Sequence, residues 1–357
     1  MERAIELARR GLGFTSPNPM VGAVIVKDGK IIGEGYHERC GELHAERNAL
    51  ASLTESAEGA TIYVTLEPCC HYGKTPPCTE AILEHKLAKV VIGSRDPNPL
   101  VSGKGAAILR KAGVEVVEDF MREECDAINP VFFHYITTKR PYVAMKYAMT
   151  MDGKIATKTG ASKWITGEDA RAHVQTLRHA YKGIMVGIGT VLADDPLLTC
   201  RMEGGVNPIR IVCDSRLRLP LDCQLVKTAA EVPTIVAATE AARQKKEKVE
   251  QLQKAGVQLV FVPEKAGHLD LNVLMEKLGE QGIDGILLEG GGELNDSALM
   301  AGIVQRAYVY VAPKIFGGAK AKSPVEGEGV ALPEEAAQFS LHSCTTIGND
   351  ILLEFAR

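Results

Sequence analysis

The sequence lacks an excess of charge and a long apolar segment, and both absences exclude classes of protein. Its 357 residues carry a formal net charge of −4. Because binding to a phosphate backbone needs concentrated Lys and Arg, no nucleic-acid partner is expected. No stretch approaches the ~18 consecutive apolar residues of a membrane span, so no membrane association is expected either.

Neither a disulfide framework nor a secretory signal is expected from the sequence. Nine cysteines occur, an odd number, and their spacing is not that of a small disulfide scaffold. The first ten residues alternate charged and apolar types, whereas a signal peptide contains an apolar run. These features favour a reducing cytoplasm, where clustered cysteines indicate a metal site.

The order of apolar segments predicts two α/β domains. Val21–Val26 and Lys30–Glu34 flank Asp28-Gly29, which predicts a hairpin. Strand-like and helix-like segments then alternate up to a charged region at 120–140, interrupted by Asn129-Pro130, and the alternation restarts after Arg140-Pro141. We therefore expect domains at 1–140 and 141–357, with helices covering a sheet in each. A capping box at Thr166–Asp169 is expected to begin the first helix of the second domain.

A zinc site is the sharpest chemical prediction. His44 and Glu46 are followed by Cys69 after a proline and then by Cys78. A catalytic zinc has three protein ligands and a fourth position for water, and one imidazole with two thiolates meets this need. The carboxylate of Glu46 can then carry a proton from the water to a leaving amino group. A closed structural zinc is the alternative.

The spacing departs from the common deaminase signature. That signature, H-x-E with P-C-x-x-C, has two residues between its cysteines, whereas eight separate Cys69 from Cys78 here. The intervening loop contains a cation and is expected to hold part of a substrate. Cys70 and His71 are rival ligands by proximity, and Cys69 is preferred because it follows the proline.

These motifs resemble the bacterial bifunctional riboflavin-biosynthesis deaminase–reductases over nearly the whole chain. The matching segments are TSPNPMVGAV (15–24), HAE (44–46), EPCCHYGKTPPC (67–78), RDPNP (95–99), SKWIT (162–166), VGIGTVLADDP (186–196), LTCR (198–201), EGGG (289–292) and PKIFGG (313–318). Cys70 departs from the family pattern, in which a small polar residue is expected.

The resemblance implies a cytidine-deaminase-like three-layer domain followed by a dihydrofolate-reductase-like α/β domain. It implies hydrolytic removal of the 2-amino group of a phosphoribosylamino-diaminopyrimidinone and then NADPH-dependent reduction of the ribosyl side chain to ribityl. It also implies Zn²⁺ bound by His44, Cys69 and Cys78, and a homo-oligomer.

The resemblance further implies the contacts of both sites. Those to the deaminase substrate are Asn18, His71, Lys74 and Thr75, each otherwise a turn residue or a solvated charge. Those to NADPH are Ala148, Trp164, Thr190, Asp194, Ser215 and the loop Gly291, Gly292, Glu293, Leu294, Asn295, Asp296 and Ser297. Those to the reductase substrate are Ser162, Arg178, Leu198, Arg201 and Glu289.

The residues alone support the second site less strongly. Glycines 290–292 lie between a buried strand and a helix, where backbone N–H groups can approach a phosphate, but G-x-G-x-x-G is absent. Arg178 and Arg201 can clamp a ribose phosphate or form surface ion pairs. Trp164 can flank a nicotinamide or pack in the core. Asp194 is a candidate proton donor.

Two other functions remain to be distinguished. One is a deaminase of another free nucleotide with an unrelated second domain, which the long insert and the later motifs disfavour. The other is a zinc-stabilised nucleotide-binding protein without turnover, which the presence of Glu46 disfavours.

Overall fold

The chain forms two compact units, Met1–Lys139 and Arg140–Arg357. They are seen in a computed structural model that describes residues 1–72, 76–98 and 101–357. Lys74 and Thr75, two of the expected substrate contacts, lie outside the described residues.

The first unit alternates helices with strands. Its helices are α1 (Glu2–Arg9), α2 (Ala45–Ala51), α3 (Cys78–Glu84), α4 (Lys104–Lys111), α5 (Arg122–Asp126) and α6 (Pro130–Thr138). Its strands are β1 (Gly22–Lys27), β2 (Lys30–Tyr36), β3 (Thr61–Leu66), β4 (Lys89–Ser94) and β5 (Glu115–Val117).

Described strands of this unit form a sheet in the order β2-β1-β3-β4-β5. Strands β1–β3 pair antiparallel, and β3–β5 pair parallel. Helices α2, α3 and α4 pack on one face through Ala, Leu and Ile side chains, while α1 packs on the other face against Val24. The expected three-layer α/β arrangement is confirmed.

The predicted hairpin is also confirmed. Lys27 pairs with Lys30, and the two turn residues Asp28 and Gly29 both have positive φ, 49° and 76°. A two-residue turn of this kind matches the twist of the flanking strands.

Residues 120–140, which the sequence marked as a charged region interrupted at Asn129-Pro130, contain two helices. Pro130 is the first residue of α6, a position where a helix needs no amide hydrogen. The Asn129 side chain bonds to both backbone groups of Met20, at 2.8 Å each. The Asn-Pro pair therefore begins a helix and anchors it to the loop before β1.

The second unit contains more elements. Its helices are α7 (Glu168–Ala180), α8 (Ile188–Asp194), α9 (Gln224–Lys227), α10 (Lys246–Lys254), α11 (Leu271–Glu280) and α12 (Gly292–Met300). Its strands are β6 (Tyr142–Thr150), β7 (Gly183–Gly187), β8 (Ile209–Cys213), β9 (Thr234–Thr239), β10 (Gln258–Val262), β11 (Glu264–Lys265), β12 (His268–Leu269), β13 (Gly285–Leu288), β14 (Val304–Ala312), β15 (Ser340–Ile347) and β16 (Asp350–Ala356).

The main described sheet of this unit has the order β10-β9-β8-β7-β13-β6-β14-β16-β15. It is parallel from β10 to β14, and β16 and β15 are added antiparallel. Successive residues of β7 lie in two separate apolar clusters, Met185 in one and Ile184 and Val186 in the other. The parallel part is thus buried on both faces, as parallel sheets require.

The capping box expected at Thr166–Asp169 is wrong. Helix α7 has Gly167 as its N-cap and no side-chain cap of its own. Instead Asp350, at the start of β16, accepts a hydrogen bond from the Gly167 amide at 2.7 Å. The cap comes from a residue 183 positions away, which no local pattern reveals.

Candidate active sites

The three predicted zinc ligands lie together in the first unit. His44 precedes α2, Cys69 follows β3, and Cys78 begins α3. The His44 Nδ1 atom lies 3.4 Å from the Cys69 sulfur and 3.5 Å from the Cys78 sulfur. Tetrahedral zinc bonds of ~2.3 Å to sulfur and ~2.0 Å to nitrogen place such atoms about 3.5 Å apart. The donor set and its spacing therefore fit zinc.

Close packing of α2 on β2 holds this cluster in place. A side chain at Gly35 would meet the Ala49 amide nitrogen at 2.3 Å and the Ala45 carbonyl oxygen at 2.7 Å. Only a glycine permits this approach, which brings the first turn of α2 and His44 onto the sheet.

Cys69 is held as a thiolate. Hydrogen bonds from Cys78 and from His44 lower the pKa of the Cys69 thiol to about 4, against its burial. The backbone amide of Cys78 also donates to the Cys69 sulfur at 3.3 Å. Cys70 and His71, the rival ligands, are not members of the cluster that the described residues form.

Glu46 lies beside the cluster and is 3% exposed. Burial and the neighbouring Cys69 raise the pKa of its carboxyl to about 7. A carboxyl with this pKa can both accept and return a proton near neutral pH.

A cavity of about 370 Å³ opens over these residues. Its lining includes Asn18, His37, His71 and Asp96 besides the zinc cluster. Burial raises the pKa of Asp96 to about 6. The structure thus brings Asn18 and His71, two expected substrate contacts, to the same cavity as Glu46.

His37 orients Asn18, a contact that the sequence reasoning missed. The His37 Nδ1 donates to the Leu43 carbonyl at 3.0 Å, so Nε2 accepts from the Asn18 amide nitrogen at 3.2 Å. The amide oxygen of Asn18 is then left to accept a hydrogen bond from a ligand.

A second cavity, of about 650 Å³, lies in the second unit. Of the expected NADPH contacts and substrate residues, its lining includes Ser162, Thr190, Asp194, Ser215, Gly291, Gly292, Glu293, Leu294 and Ser297. These residues follow several different strands, so the fold collects them at one edge of the sheet.

Other expected residues of the second site lie outside this lining. They are Ala148, Trp164, Arg178, Leu198, Arg201, Glu289, Asn295 and Asp296. Asn295 is completely buried, and its amide donates to the Pro324 carbonyl at 2.8 Å, so its side chain serves the fold. Leu198 is buried and Arg201 is exposed.

Trp164 is not a core residue. It is 60% exposed, and the Arg171 guanidinium lies 4.6 Å from its ring centre. The alternative of core packing is wrong, and the ring is available at the surface. Asp194 lies 3.6 Å from Lys163, with which it forms an ion pair.

Arg178 is already bonded within the protein. Its guanidinium makes two hydrogen bonds to Glu289, at 2.7 and 3.1 Å, and a third to the Thr199 carbonyl at 3.1 Å. Two of the five N–H donors of Arg178 therefore bind Glu289 and one binds the Thr199 carbonyl, and the expected phosphate clamp of Arg178 and Arg201 stays a prediction.

Lys146 completes this charged cluster and was not predicted. Its ammonium lies 3.7 Å from Glu289, and all three side chains are at most 15% exposed. Burial alone would raise the pKa of Glu289, but the cations of Lys146 and Arg178 together lower it to about 2. The only sequence signal is a lysine inside the otherwise apolar strand β6.

No helix among the described residues is long and apolar enough to cross a membrane.

Comparison with known proteins identifies both units. The family model of the cytidine and deoxycytidylate deaminase zinc-binding region matches residues 1–94, and that of the RibD C-terminal domain matches residues 141–353. The class is thus a zinc-binding deaminase joined to a reductase.

Similarity to named proteins extends over the whole chain. The riboflavin biosynthesis protein RibD of Actinobacillus pleuropneumoniae is 58% identical over 99% of this chain and 94% of its own. That of Escherichia coli is 42% identical over 99% and 97%. The chain belongs to the RibD family of bifunctional riboflavin-biosynthesis enzymes, which are hydrolases and oxidoreductases using zinc and NADPH.

Two solved structures superpose on this chain over nearly its whole length. RibD of Acinetobacter baumannii (form 1) superposes with a TM-score of 0.88 at 38% identity, covering 99% of this chain and 97% of that one. A diaminohydroxyphosphoribosylaminopyrimidine deaminase/5-amino-6-(5-phosphoribosylamino)uracil reductase from Thermotoga maritima gives 0.88 at 39%, covering 100% and 97%.

Proposed function

We propose that residues 1–140 deaminate the diaminohydroxyphosphoribosylaminopyrimidine that the name of the Thermotoga relative gives as its substrate. Residues 141–357 then reduce the ribosyl side chain of the resulting 5-amino-6-(5-phosphoribosylamino)uracil to ribityl. The observation that carries the proposal is the cluster of His44, Cys69 and Cys78 beside buried Glu46, at the base of a cavity. A small phosphorylated pyrimidine is the substrate.

In the deaminase half, His44, Cys69 and Cys78 would hold zinc. Zinc at such a site supplies a water whose pKa is near 7. Glu46 takes a proton from the attacking water and delivers it to the amino group that leaves as ammonia. Its burial beside the three ligands places its carboxyl within the same cavity for both transfers.

Neighbouring residues would orient the pyrimidine. Asn18 presents its amide oxygen because His37 occupies its amide nitrogen, so it accepts from an N–H of the ring. His71 lines the same cavity. We assign Lys74 and Thr75, in the loop between the cysteines, to the phosphate end of the substrate.

In the reductase half, the glycine-rich turn before α12 would hold NADPH together with Ala148, Trp164, Thr190, Asp194 and Ser215. Bound there, the nicotinamide would supply hydride for the opened ribosyl carbon. Ser162, Arg178, Leu198, Arg201 and Glu289 would contact the substrate, with Arg178 also bonded to Glu289.

The proton donor of the reduction is better sought at Lys146 than at Asp194. Lys146 is largely buried beside Glu289, an expected substrate contact. Asp194 is ion-paired with Lys163. An ammonium can release a proton to the ribosyl oxygen, which an ionised carboxylate cannot do.

We further propose that the enzyme works in the cytoplasm as a homo-oligomer and acts without nucleic acid or membrane. Support comes from the net charge of −4 and the absence of a disulfide framework, together with the family.

Two assays on the diaminopyrimidine phosphate test the proposal. We expect ammonia release without NADPH, and NADPH oxidation only after deamination or with the uracil supplied directly. Ammonia release without any NADPH oxidation would indicate a deaminase with an unrelated second unit. Binding of the diaminopyrimidine phosphate without ammonia release or NADPH oxidation would show that the protein binds the nucleotide without turnover.

A further inference from the structure

Segment 199–206 of the second unit contains neither a helix nor a strand. It lies between α8 and β8 and carries Arg201, an expected substrate contact. The Gly205 amide closes its turn by donating to the Met202 carbonyl at 3.0 Å, and Gly204 within this turn has a φ of 68°. A surface segment of this kind is more mobile than its neighbours unless other residues hold it.

Helix α7 holds the start of this segment with two side chains. The Gln175 side-chain oxygen accepts from the Arg201 amide at 2.9 Å. The Arg178 guanidinium, about one helical turn further along, donates to the Thr199 carbonyl at 3.1 Å. Since residues three positions apart lie on the same face of a helix, Gln175 places the backbone of Arg201 beside the face that carries Arg178.

The same helix holds the other end of the segment. His179 is buried, and its Nδ1 accepts from the Val206 amide at 3.0 Å. Between the two ends, the Cys200 sulfur donates to the Gln175 carbonyl at 3.4 Å, and the Cys200 amide donates to the Asn207 side chain at 3.0 Å. The segment is therefore held before a ligand binds, which lowers the cost of ordering it on binding.

The side chain of Arg201 is not used by these contacts. Its backbone amide is bonded to Gln175, whereas its guanidinium is exposed and, within the part of the chain that the structure describes, takes part in no ion pair. A guanidinium with free donors binds an anionic ligand group through charge-assisted hydrogen bonds. The proposed substrate of the reductase carries such a group, its phosphate.

We propose that Gln175 and His179 are positioning residues of the reductase, which hold segment 199–206 so that the Arg201 guanidinium meets the phosphate of the substrate. The inference rests on the proposed reductase function. Both residues act through Arg201, so their loss weakens substrate binding without slowing the reduction itself. In kinetic terms, such a loss raises KM and leaves kcat unchanged.

Steady-state reduction of 5-amino-6-(5-phosphoribosylamino)uracil by the protein tests this. Gln175→Met removes one acceptor at nearly constant side-chain size. His179→Leu removes the other acceptor, whereas His179→Asn keeps an oxygen as many bonds from the backbone as Nδ1. The control is Gln253→Met, the same change at an exposed position of α10.

We expect the KM for the uracil to rise about three- to tenfold in Gln175→Met and in His179→Leu, the effect of losing one hydrogen bond. The KM of His179→Asn and of the control should stay within about twofold of wild type. The kcat, the Kd for NADPH and the rate of ammonia release should not change in any variant, and the last two also show that the variants fold.

A double-mutant cycle separates positioning from general support of the fold. Arg201→Gln alone should raise the KM about tenfold or more, because it removes a charge-assisted hydrogen bond. If Gln175 acts through Arg201, adding Gln175→Met to Arg201→Gln should raise the KM no further, since positions that act through one contact are not additive.

The contrary outcomes are distinguishable. Independent, multiplying effects of the two substitutions on the KM would overturn the positioning role. An unchanged KM in Gln175→Met would also overturn it, and so would a fall in kcat together with NADPH affinity. If Gln175→Met does not fold, the two His179 variants decide, and equal KM values for them would overturn the role. Wild-type protein that does not oxidise NADPH with the uracil would instead contradict the reductase function itself.

Discussion

At the scale of single residues, Glu46 carries the proton of the proposed deamination. Glu46→Gln keeps the shape and hydrogen-bonding capacity of the side chain but removes the base. We expect ammonia release to fall by about 10²–10⁴-fold, while zinc content and NADPH oxidation on the uracil substrate stay at wild-type levels. The measurements are ammonia release, elemental analysis and NADPH absorbance.

Glu38→Gln is the matched control, since Glu38 is exposed and outside the cavity lining. Normal deamination by Glu46→Gln would show that another group moves the proton.

Glu289 provides a residue-scale prediction about stability. Removing its charge leaves Lys146 and Arg178 without their counter-ion in a largely buried place. Breaking such a pair costs about 3–5 kcal/mol of unfolding free energy, so we expect a loss of this size in Glu289→Gln at neutral pH. Urea unfolding followed by Trp164 fluorescence reports on this unit. The control is Glu276→Gln, which removes one partner of an exposed ion pair and should change the unfolding free energy by about 0.5 kcal/mol or less.

The pH dependence of this difference has a definite sign. The folded pKa of Glu289 is about 2, below the ~4.3 of an unfolded glutamate. Its stabilisation is therefore complete above about pH 5 and is lost as the pH falls toward 2. The account would be contradicted if the difference in unfolding free energy between wild type and Glu289→Gln increased as the pH fell.

At the scale of secondary-structure elements, Asn129 joins α6 to the loop that carries Asn18. Phe132, Tyr135 and Ile136 of α6 also line the deaminase cavity. In Asn129→Ala the two Met20 backbone groups lose their partners, at a cost of about 1–3 kcal/mol. We expect a raised KM for deamination with unchanged reduction, measured by steady-state kinetics.

The control for this substitution is Thr137→Ala, at an exposed position of the same helix. If Asn129→Ala lowered the reductase rate equally, its effect would be a general loss of folding and not a local change at the cavity wall.

The elements also show how far the sequence reasoning reached. Short-range patterns predicted the Asp28-Gly29 hairpin and the His44, Cys69 and Cys78 ligand set, because turn chemistry and ligand spacing are local. Long-range pairings were not predictable. Three hydrogen bonds each join residues more than 100 positions apart: Gly167 to Asp350, Arg178 to Glu289, and Met20 to Asn129. The C-terminal hairpin β15–β16 was also missed, since its burial depends on β14.

At the scale of the whole molecule, two units of different architecture bring different chemistry to one chain. The first unit buries the carboxyl of Glu46 beside the side chains of His44, Cys69 and Cys78. The second collects residues from several strand ends around one cavity. In both, helices and strand ends position the side chains, so each site depends on the sheet of its own unit.

Metal content tests the central claim most directly. Freshly purified, folded protein should contain about one zinc per chain by elemental analysis, and Cys78→Ser should lose it together with ammonia release while NADPH oxidation on the uracil persists. Folded wild-type protein that deaminates at full rate without stoichiometric metal would contradict the account.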